Sequence, residues 1–147
     1  MPPATPAGGE RFTGFADGSL SFWKKLARNQ DRAWFAAHKA EYLEGWHAPM
    51  EALLAAVRAG VDDAFEYVEL GEPKVFRIYK DTRFARDKSP FKTHVAGVVM
   101  ARGGGGSAIT EVPAALYLSL GSGEGANVSG HGQYMMSPGQ LARFRAA

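Results

Sequence analysis

The spacing of apolar residues changes halfway along this chain, and the change limits the folds open to it. In the first half, rings recur every four residues, at Trp34, His38, Tyr42 and Trp46. This spacing places them on one face of a helix. In the second half, apolar and polar residues alternate, as at 116–120, which is typical of a strand with one buried face. Helices followed by strands predict an α+β fold, with N-terminal helices packed on a mostly antiparallel sheet of about four strands.

Capping residues and helix breakers divide the first half into three predicted helices. The first is expected to begin at Asp17 or Ser19, and Asp31 is expected to cap the second, because their side-chain oxygens accept from free backbone N–H groups. Gly45 and Pro49 predict a break or kink before the third helix.

The second half predicts four strands and a last helix. The strands are expected at 74–80, 93–101, 114–120 and 126–134. Ser137 followed by Pro138 is a cap and first-turn proline that opens a final helix, which is cut short at Ala147. Residues 1–10 are rich in proline, alanine and glycine and predict a disordered leader, so we expect a single domain over 11–147.

Composition excludes several classes of protein. The chain has no cysteine, which rules out disulfides and thiolate metal sites. Its apolar runs are too short to cross a bilayer, and its N-terminus does not resemble a signal peptide, so we expect a cytoplasmic protein without a membrane partner. The four histidines lack metal-ligand spacing, and no Walker-type glycine motif is present, so neither a metal nor a cofactor is predicted.

Positive charge is concentrated in one segment. Residues 74–94 contain seven Lys or Arg and two Asp, a net charge of +5, which leaves −3 for the rest of a chain whose net charge is +2. Because the whole chain is nearly neutral, nucleic acid is a less favoured partner than a small anion.

Strand alternation predicts that polar side chains share one face of the sheet. The expected members of that face are Arg77, Tyr79, Tyr117, Ser119, Asn127, Ser129 and His131. Phe76 and Ile78 would then lie together on the opposite, apolar face. Such a polar face is either the floor of a pocket or the solvated side of an antiparallel sheet.

The polar face and the basic segment together supply the candidate site residues. These are Arg77, Tyr79, Asp81, Arg83, Asp87, Lys88, His94, Tyr117 and His131. Arg and Lys donors suit phosphate or carboxylate, so the leading hypothesis is a small anionic ligand. A metal-assisted hydrolase of phosphate esters is the second, with Asp81 and Asp87 holding a divalent cation. The third is a structural or protein-interaction domain whose charges form ion pairs.

One sequence signature resembles a known family. The run Arg77, Asp81, Arg83, Phe84, Asp87, Lys88 and His94 is similar to the signature of the bacterial family called domain of unknown function 2461. This chain has Lys80 where the family usually has Arg, and Phe91 where it usually has Tyr. The resemblance extends from Phe12 to the end of the chain and implies no particular reaction. Family members usually continue further, so it also implies that a C-terminal part is missing here.

Overall fold

The computed structural model describes residues 11–62, 64, 69–102, 114–133 and 136–147. The helices are α1 (Ser21–Arg28), α2 (Arg32–Tyr42), α3 (Ala48–Asp62) and α4 (Pro138–Ala146). The strands are β1 (Glu69–Leu70), β2 (Lys74–Val75), β3 (His94–Arg102), β4 (Ala115–Gly121) and β5 (Val128–Gly132). The predicted α+β architecture, with helices first and an antiparallel sheet after them, is confirmed.

Helix α1 begins in an unusual way. Its N-cap position is Leu20, which has a left-handed backbone with φ of 59° and provides no side-chain cap. Asp17 performs that role from outside the helix, because its Oδ2 accepts from the backbone N–H of Phe22 at 3.0 Å and from the Ser21 hydroxyl at 3.0 Å. The prediction of Asp17 or Ser19 at the N-cap position is therefore wrong, although Asp17 does cap the helix.

The break or kink predicted at Gly45 and Pro49 coincides with an interruption of the regular α-helix. Between α2 and α3 the chain stays helical through a π-helical turn, Leu43–His47, in which the Ala48 N–H donates to the Leu43 carbonyl. A proline ring clashes with the carbonyl four residues earlier in a regular helix, and for Pro49 that residue is Gly45. The wider π turn accommodates this ring without ending the helix.

The sheet is antiparallel and built around β3. Its strand order is β1-β3-β4-β5, and β2 also pairs with β3. Helix α3 packs directly on β3, since a side chain added at Gly97 would meet Leu54 of that helix. Alternation then places Val95 and Val99 on the helix-covered inner face. The largest fully buried side chains of the core are Trp23, Trp46, Phe22, Phe91, Leu26, Met50, Leu54, Val95 and Val99.

The strand predicted at 74–80 is much shorter than expected. Only Lys74–Val75 forms a strand, followed by an isolated antiparallel bridge between Tyr79 and Phe91. Val75 pairs with Gly97, and Tyr79 pairs with Phe91. The first members of these pairs are four positions apart and the second members are six apart, so the pairing shifts by two residues between them. Residues 76–78 lie outside the strand, with a bend at Ile78, so strict alternation is not imposed on them.

The other predicted elements agree more closely. β3 and β4 lie within one residue of their predicted bounds, and α4 begins with the expected Ser137 cap and Pro138. β5 is shorter than the prediction at 126–134, whose last residue lies outside the described residues, as does the predicted leader at 1–10. β1 was not predicted. Within the described ranges, no helix combines the length and apolarity needed to span a membrane.

Candidate functional site

The predicted polar face does not form. Tyr117 lies opposite Val98 on one side and Gly130 on the other, whereas His131 lies opposite Leu116. Directly opposed residues in an antiparallel pair point to the same face, so Tyr117 and His131 emerge on opposite faces of the sheet. The prediction that these two side chains share one face of the sheet is therefore wrong.

The outer face of the sheet, which points away from α3, is apolar around Tyr117. The Phe76 and Tyr117 ring centroids are 6.5 Å apart. Phe76 and Ile78 were predicted to share a face, but Phe76 lies beside Tyr117 and Ile78 is buried in the core. The shift in pairing after β2 separates them. Because Lys74 pairs with Val98 and Val98 with Tyr117, alternation from β2 places Phe76, and not Arg77, on the face of Tyr117.

An outer groove runs over this apolar surface. It has a volume of about 720 Å³, and side chains that line it include Phe76, Val98, Met100, Ala115, Tyr117 and Val128. Gly130, His131, Gly132 and Gln133 of the β5 region complete its wall. No Lys, Arg, Asp or Glu of the described ranges lines the groove.

Asp81 forms a two-bond ion pair with Arg83. The Arg83 Nε donates to Asp81 Oδ1 at 3.0 Å, and Nη2 donates to Oδ2 at 2.7 Å. These hydrogen bonds, with a further contribution from the charge of Arg77, lower the pKa of Asp81. The Arg83 and Asp81 side chains are 78% and 46% exposed, so solvent weakens the pair. The carboxylate of Asp81 is nevertheless occupied by the guanidinium.

Asp87 is held in a second, separate network. Lys80 Nζ donates to Asp87 Oδ2 at 2.9 Å and to the Ser89 hydroxyl at 2.7 Å. The Ser89 hydroxyl and backbone N–H in turn donate to Asp87. Hydrogen bonds from Lys80 and Ser89 place the pKa of Asp87 well below its usual range. Lys88 lies nearby, with its Nζ donating to the Thr82 carbonyl at 2.7 Å.

A basic cluster, Arg77, Lys92 and His94, lies where β2 gives way to the shifted pairing. Lys92 Nζ donates to the backbone carbonyl of Arg77 at 2.9 Å and lies 5.9 Å from the Phe76 ring centroid. Within the described part of the chain, neither the Arg77 guanidinium nor the His94 ring makes a hydrogen bond or an ion pair. The cluster therefore contains cations without a bonded carboxylate.

The pKa values of Lys92 and His94 reflect the excess of positive charge in the basic cluster. Partial burial lowers the pKa of Lys92, and the positive charge of Arg77 lowers it further. Burial also lowers the pKa of His94, with additional contributions from the charges of Lys92 and Lys80. Each group is thus easier to deprotonate because of its neighbours. An anion placed here would have the opposite effect on both.

The aromatic residues of the basic segment divide into two environments. Tyr79 contacts Phe91, with ring centroids 5.3 Å apart, and Phe35, at 6.2 Å. Phe91 is fully buried, whereas Tyr79 is 44% exposed. Phe84 is 95% exposed in the loop that carries both ion pairs. Tyr79 therefore belongs to the surface above Phe91 and not to the basic cluster.

The residues that could hold a metal are not gathered in one place. Among the residues described by the structure, no group of three or more His, Asp or Glu has a metal-binding arrangement. Asp81 and Asp87 lie in two separate ion pairs. A site that bound a divalent cation would first have to release one of these carboxylates from its basic partner.

Two residues outside the predicted site contribute to these surfaces. Lys92 belongs to the basic segment but is not among the predicted site residues, and Phe76 is predicted on the apolar face. Lys92 and His94 are two positions apart, and alternate residues of an extended chain point to the same side. This spacing is a sequence signal that the two side chains lie close together. The position of Phe76 depends on the register of β2 against β3, for which the sequence offers no comparable signal.

Comparison with known proteins supports the signature in this segment. A family model described as a conserved hypothetical protein (DUF2461) matches residues 18–147. The chain belongs to this family. The DUF2461 match includes the whole basic segment, the sheet and α4, and it confirms the family predicted from the signature. No curated protein matches the chain, and no solved structure does.

Proposed function

We propose that this domain binds a small ligand bearing a phosphate or carboxylate group at the basic cluster. Arg77 would supply a planar set of donors, and Lys92 a point charge already positioned beside it. His94 would contribute one N–H donor when neutral, and a second donor with a positive charge when protonated. The near-neutral charge of the whole chain favours a small ligand over nucleic acid.

The observation that carries this proposal is the pairing of the two acids. Asp81 is bonded to Arg83 and Asp87 to Lys80, so neither carboxylate is bonded to Arg77 or Lys92. Like charges that lie close together are costly unless a counter-charge is present. The lowered pKa of Lys92 is consistent with that cost, because the charge of Arg77 is one of its causes. Asp81 offsets part of this charge, since Arg77 helps to lower its pKa, and a bound anion would supply a counter-charge bonded directly to the cluster.

The metal-assisted hydrolase hypothesis receives less support from the same pairs. Its two carboxylates accept from Arg83, Lys80 and Ser89, and these bonds occupy oxygens that a divalent cation would need. Both pKa values are lowered by basic partners or by hydrogen-bond donors. In this arrangement the acids orient cations, which suits a binding site better than a metal centre.

The protein-interaction hypothesis has one observation in its favour. Phe84 is 95% exposed, and Arg83 lies over its ring with 6.0 Å between Cζ and the centroid. An exposed aromatic flanked by arginine resembles the composition of interaction hot spots. Phe84 is a single exposed aromatic residue, however, and it does not belong to the basic cluster.

A thermal-shift measurement on the wild-type chain tests the proposal. Sodium phosphate, sulfate and acetate are compared with sodium chloride at equal ionic strength, and magnesium and manganese chloride form a separate arm. We expect phosphate or sulfate to raise the melting temperature above the chloride reference, because a ligand that binds only the folded state stabilises it. A shift with the divalent cations and none with the anions would favour the hydrolase instead.

A further inference from the structure

The basic cluster and the outer groove meet at one aromatic side chain. Phe76 lies 5.9 Å from Lys92 Nζ on one side, measured from its ring centroid, and 6.5 Å from the Tyr117 ring centroid. It also lines the groove. A molecule lying over Phe76 would therefore contact a cation at one end and an apolar surface at the other.

The outer face of β3 shows the same change from basic to apolar. His94, Ala96, Val98 and Met100 share that face, because alternate residues of a strand point to the same side. His94 is in the basic cluster, and Val98 and Met100 line the groove. Val98 is four positions after His94 in the strand, which corresponds to a distance of about 13 Å. This length is within the reach of a small bicyclic or chain-like ligand.

Among the described residues, the groove offers mainly apolar contact and no Lys, Arg, Asp or Glu side chain. Met100 and Val128 are 41% and 44% exposed, so part of its apolar surface is open to solvent. Its volume of about 720 Å³ is in the range of small-molecule sites. The positive charge of Lys92 at one end and the apolar lining elsewhere match a molecule that has a negative charge at one end and an apolar body.

We infer that the ligand is an amphiphilic anion, with its phosphate or carboxylate at the basic cluster and an aromatic or aliphatic body in the outer groove. This inference rests on the proposed anion binding and adds the class of ligand. It assigns the groove to a small molecule, and not to a second copy of the chain.

The test compares three probes by isothermal titration calorimetry at one ionic strength. Inorganic phosphate reports on the basic cluster alone, 2-naphthol on the groove alone, and 2-naphthyl phosphate on both. We expect 2-naphthyl phosphate to bind tighter than inorganic phosphate by about tenfold or more, because burying an aromatic ring contributes substantially to binding. We expect 2-naphthol to bind more weakly than 2-naphthyl phosphate.

Two substitutions on β5 provide a matched pair. A side chain added at Gly130, opposite Tyr117, meets no atom within 4 Å, so Gly130→Leu would fill the groove without a backbone clash. Ser129 lies opposite Leu118 and points to the other face, so Ser129→Leu adds the same bulk outside the groove. Gly130→Leu should abolish the advantage of 2-naphthyl phosphate over inorganic phosphate, while Ser129→Leu should keep it. Tyr117→Ala, which removes an aromatic wall, should reduce the same advantage by an independent route.

The outcomes separate this inference from the proposed function. If inorganic phosphate binds and 2-naphthyl phosphate binds no tighter, anion binding stands and the amphiphilic ligand is overturned. Equal affinities for 2-naphthol and 2-naphthyl phosphate would also overturn it, because the cluster would then play no part. A wild-type dimer that Gly130→Leu converts to a monomer would assign the groove to a second copy. If no phosphate compound binds, both proposals fail.

Discussion

Lys92 Nζ donates a hydrogen bond to the backbone carbonyl oxygen of Arg77 at 2.9 Å, which fixes an ammonium group beside an arginine with no carboxylate bonded to either. The contact depends on the shift in pairing between β2 and the bridge at Tyr79 and Phe91. It joins two residues separated by 15 positions. The proposed function follows from this local excess of positive charge.

Asp81→Asn should leave the melting temperature unchanged. Its ion pair with Arg83 is exposed to solvent, and exposed pairs contribute little to stability. Differential scanning calorimetry of the wild type and the variant checks it, and a fall of more than about 3 °C would show that the pair stabilises the fold.

His94 should make stability depend on pH near neutrality. Its pKa in the folded chain is lowered from 6.5, so the unfolded chain binds its proton more readily. The contribution of neutral His94 is therefore fully present above about pH 6.5 and is lost as the pH falls through the lower folded pKa. Unfolding by urea from pH 8 to pH 5 should show a smaller loss for His94→Gln than for the wild type. Parallel curves for the two proteins would argue against this role of His94.

Gly97→Ala should destabilise the fold by about 1–3 kcal/mol, the usual cost of overpacking. The added Cβ would meet the Leu54 side chain and lie 2.8 Å from the Lys74 carbonyl oxygen. Gly60→Ala is the control, because a Cβ there meets nothing within 4 Å and alanine favours a helix. The free energy of unfolding of both variants is measured in urea. A Gly97→Ala variant as stable as Gly60→Ala, or more stable, would contradict close packing of α3 on β3.

Asp17→Ala should cost about 1 kcal/mol, as the loss of a helix cap does. Burial alone would raise the pKa of the Asp17 carboxyl. Hydrogen bonds from the backbone N–H groups of Phe22 and Ser21, and from the Ser19 and Ser21 hydroxyls, outweigh that effect and bring the pKa of Asp17 to about 2. Its contribution is present above about pH 4 and is lost as the pH falls through about 2. The difference in unfolding free energy between wild type and variant should thus be larger at pH 7 than at pH 2. A constant difference would mean that the carboxylate charge is not involved.

The sequence predicted the helices and the central strands because their signals are local. The spacing from Trp34 to Trp46 and the alternation at 116–120 depend only on which side each residue presents to the core. The Ser137 cap and Pro138 similarly determine where α4 begins. Such features follow from the chemistry of a few consecutive residues.

The predicted polar face was less accurate because it depended on register. Grouping Arg77 with Tyr117 required residue 77 to be in phase with residue 117, whereas the observed pairing of Lys74 with Val98 and of Val98 with Tyr117 puts Phe76 in phase with Tyr117 instead. Grouping Tyr117 with His131 required a β4–β5 register one residue away from the observed one. A slip of one residue moves a side chain to the other face, and the sequence of a single chain does not specify it.

The central claim is that Arg77 binds an anion with Lys92, and the most direct test is the affinity for inorganic phosphate measured by calorimetry at low ionic strength. Arg86→Ala is the matched control, because Arg86 is an exposed arginine of the same segment that lies outside the basic cluster. We expect Arg77→Ala to weaken phosphate binding by about tenfold or more, since charge-assisted hydrogen bonds contribute about 1.5–3 kcal/mol. Arg86→Ala should keep the wild-type affinity, and neither variant should lower the melting temperature. Equal phosphate affinities for Arg77→Ala, Arg86→Ala and the wild type would contradict the claim.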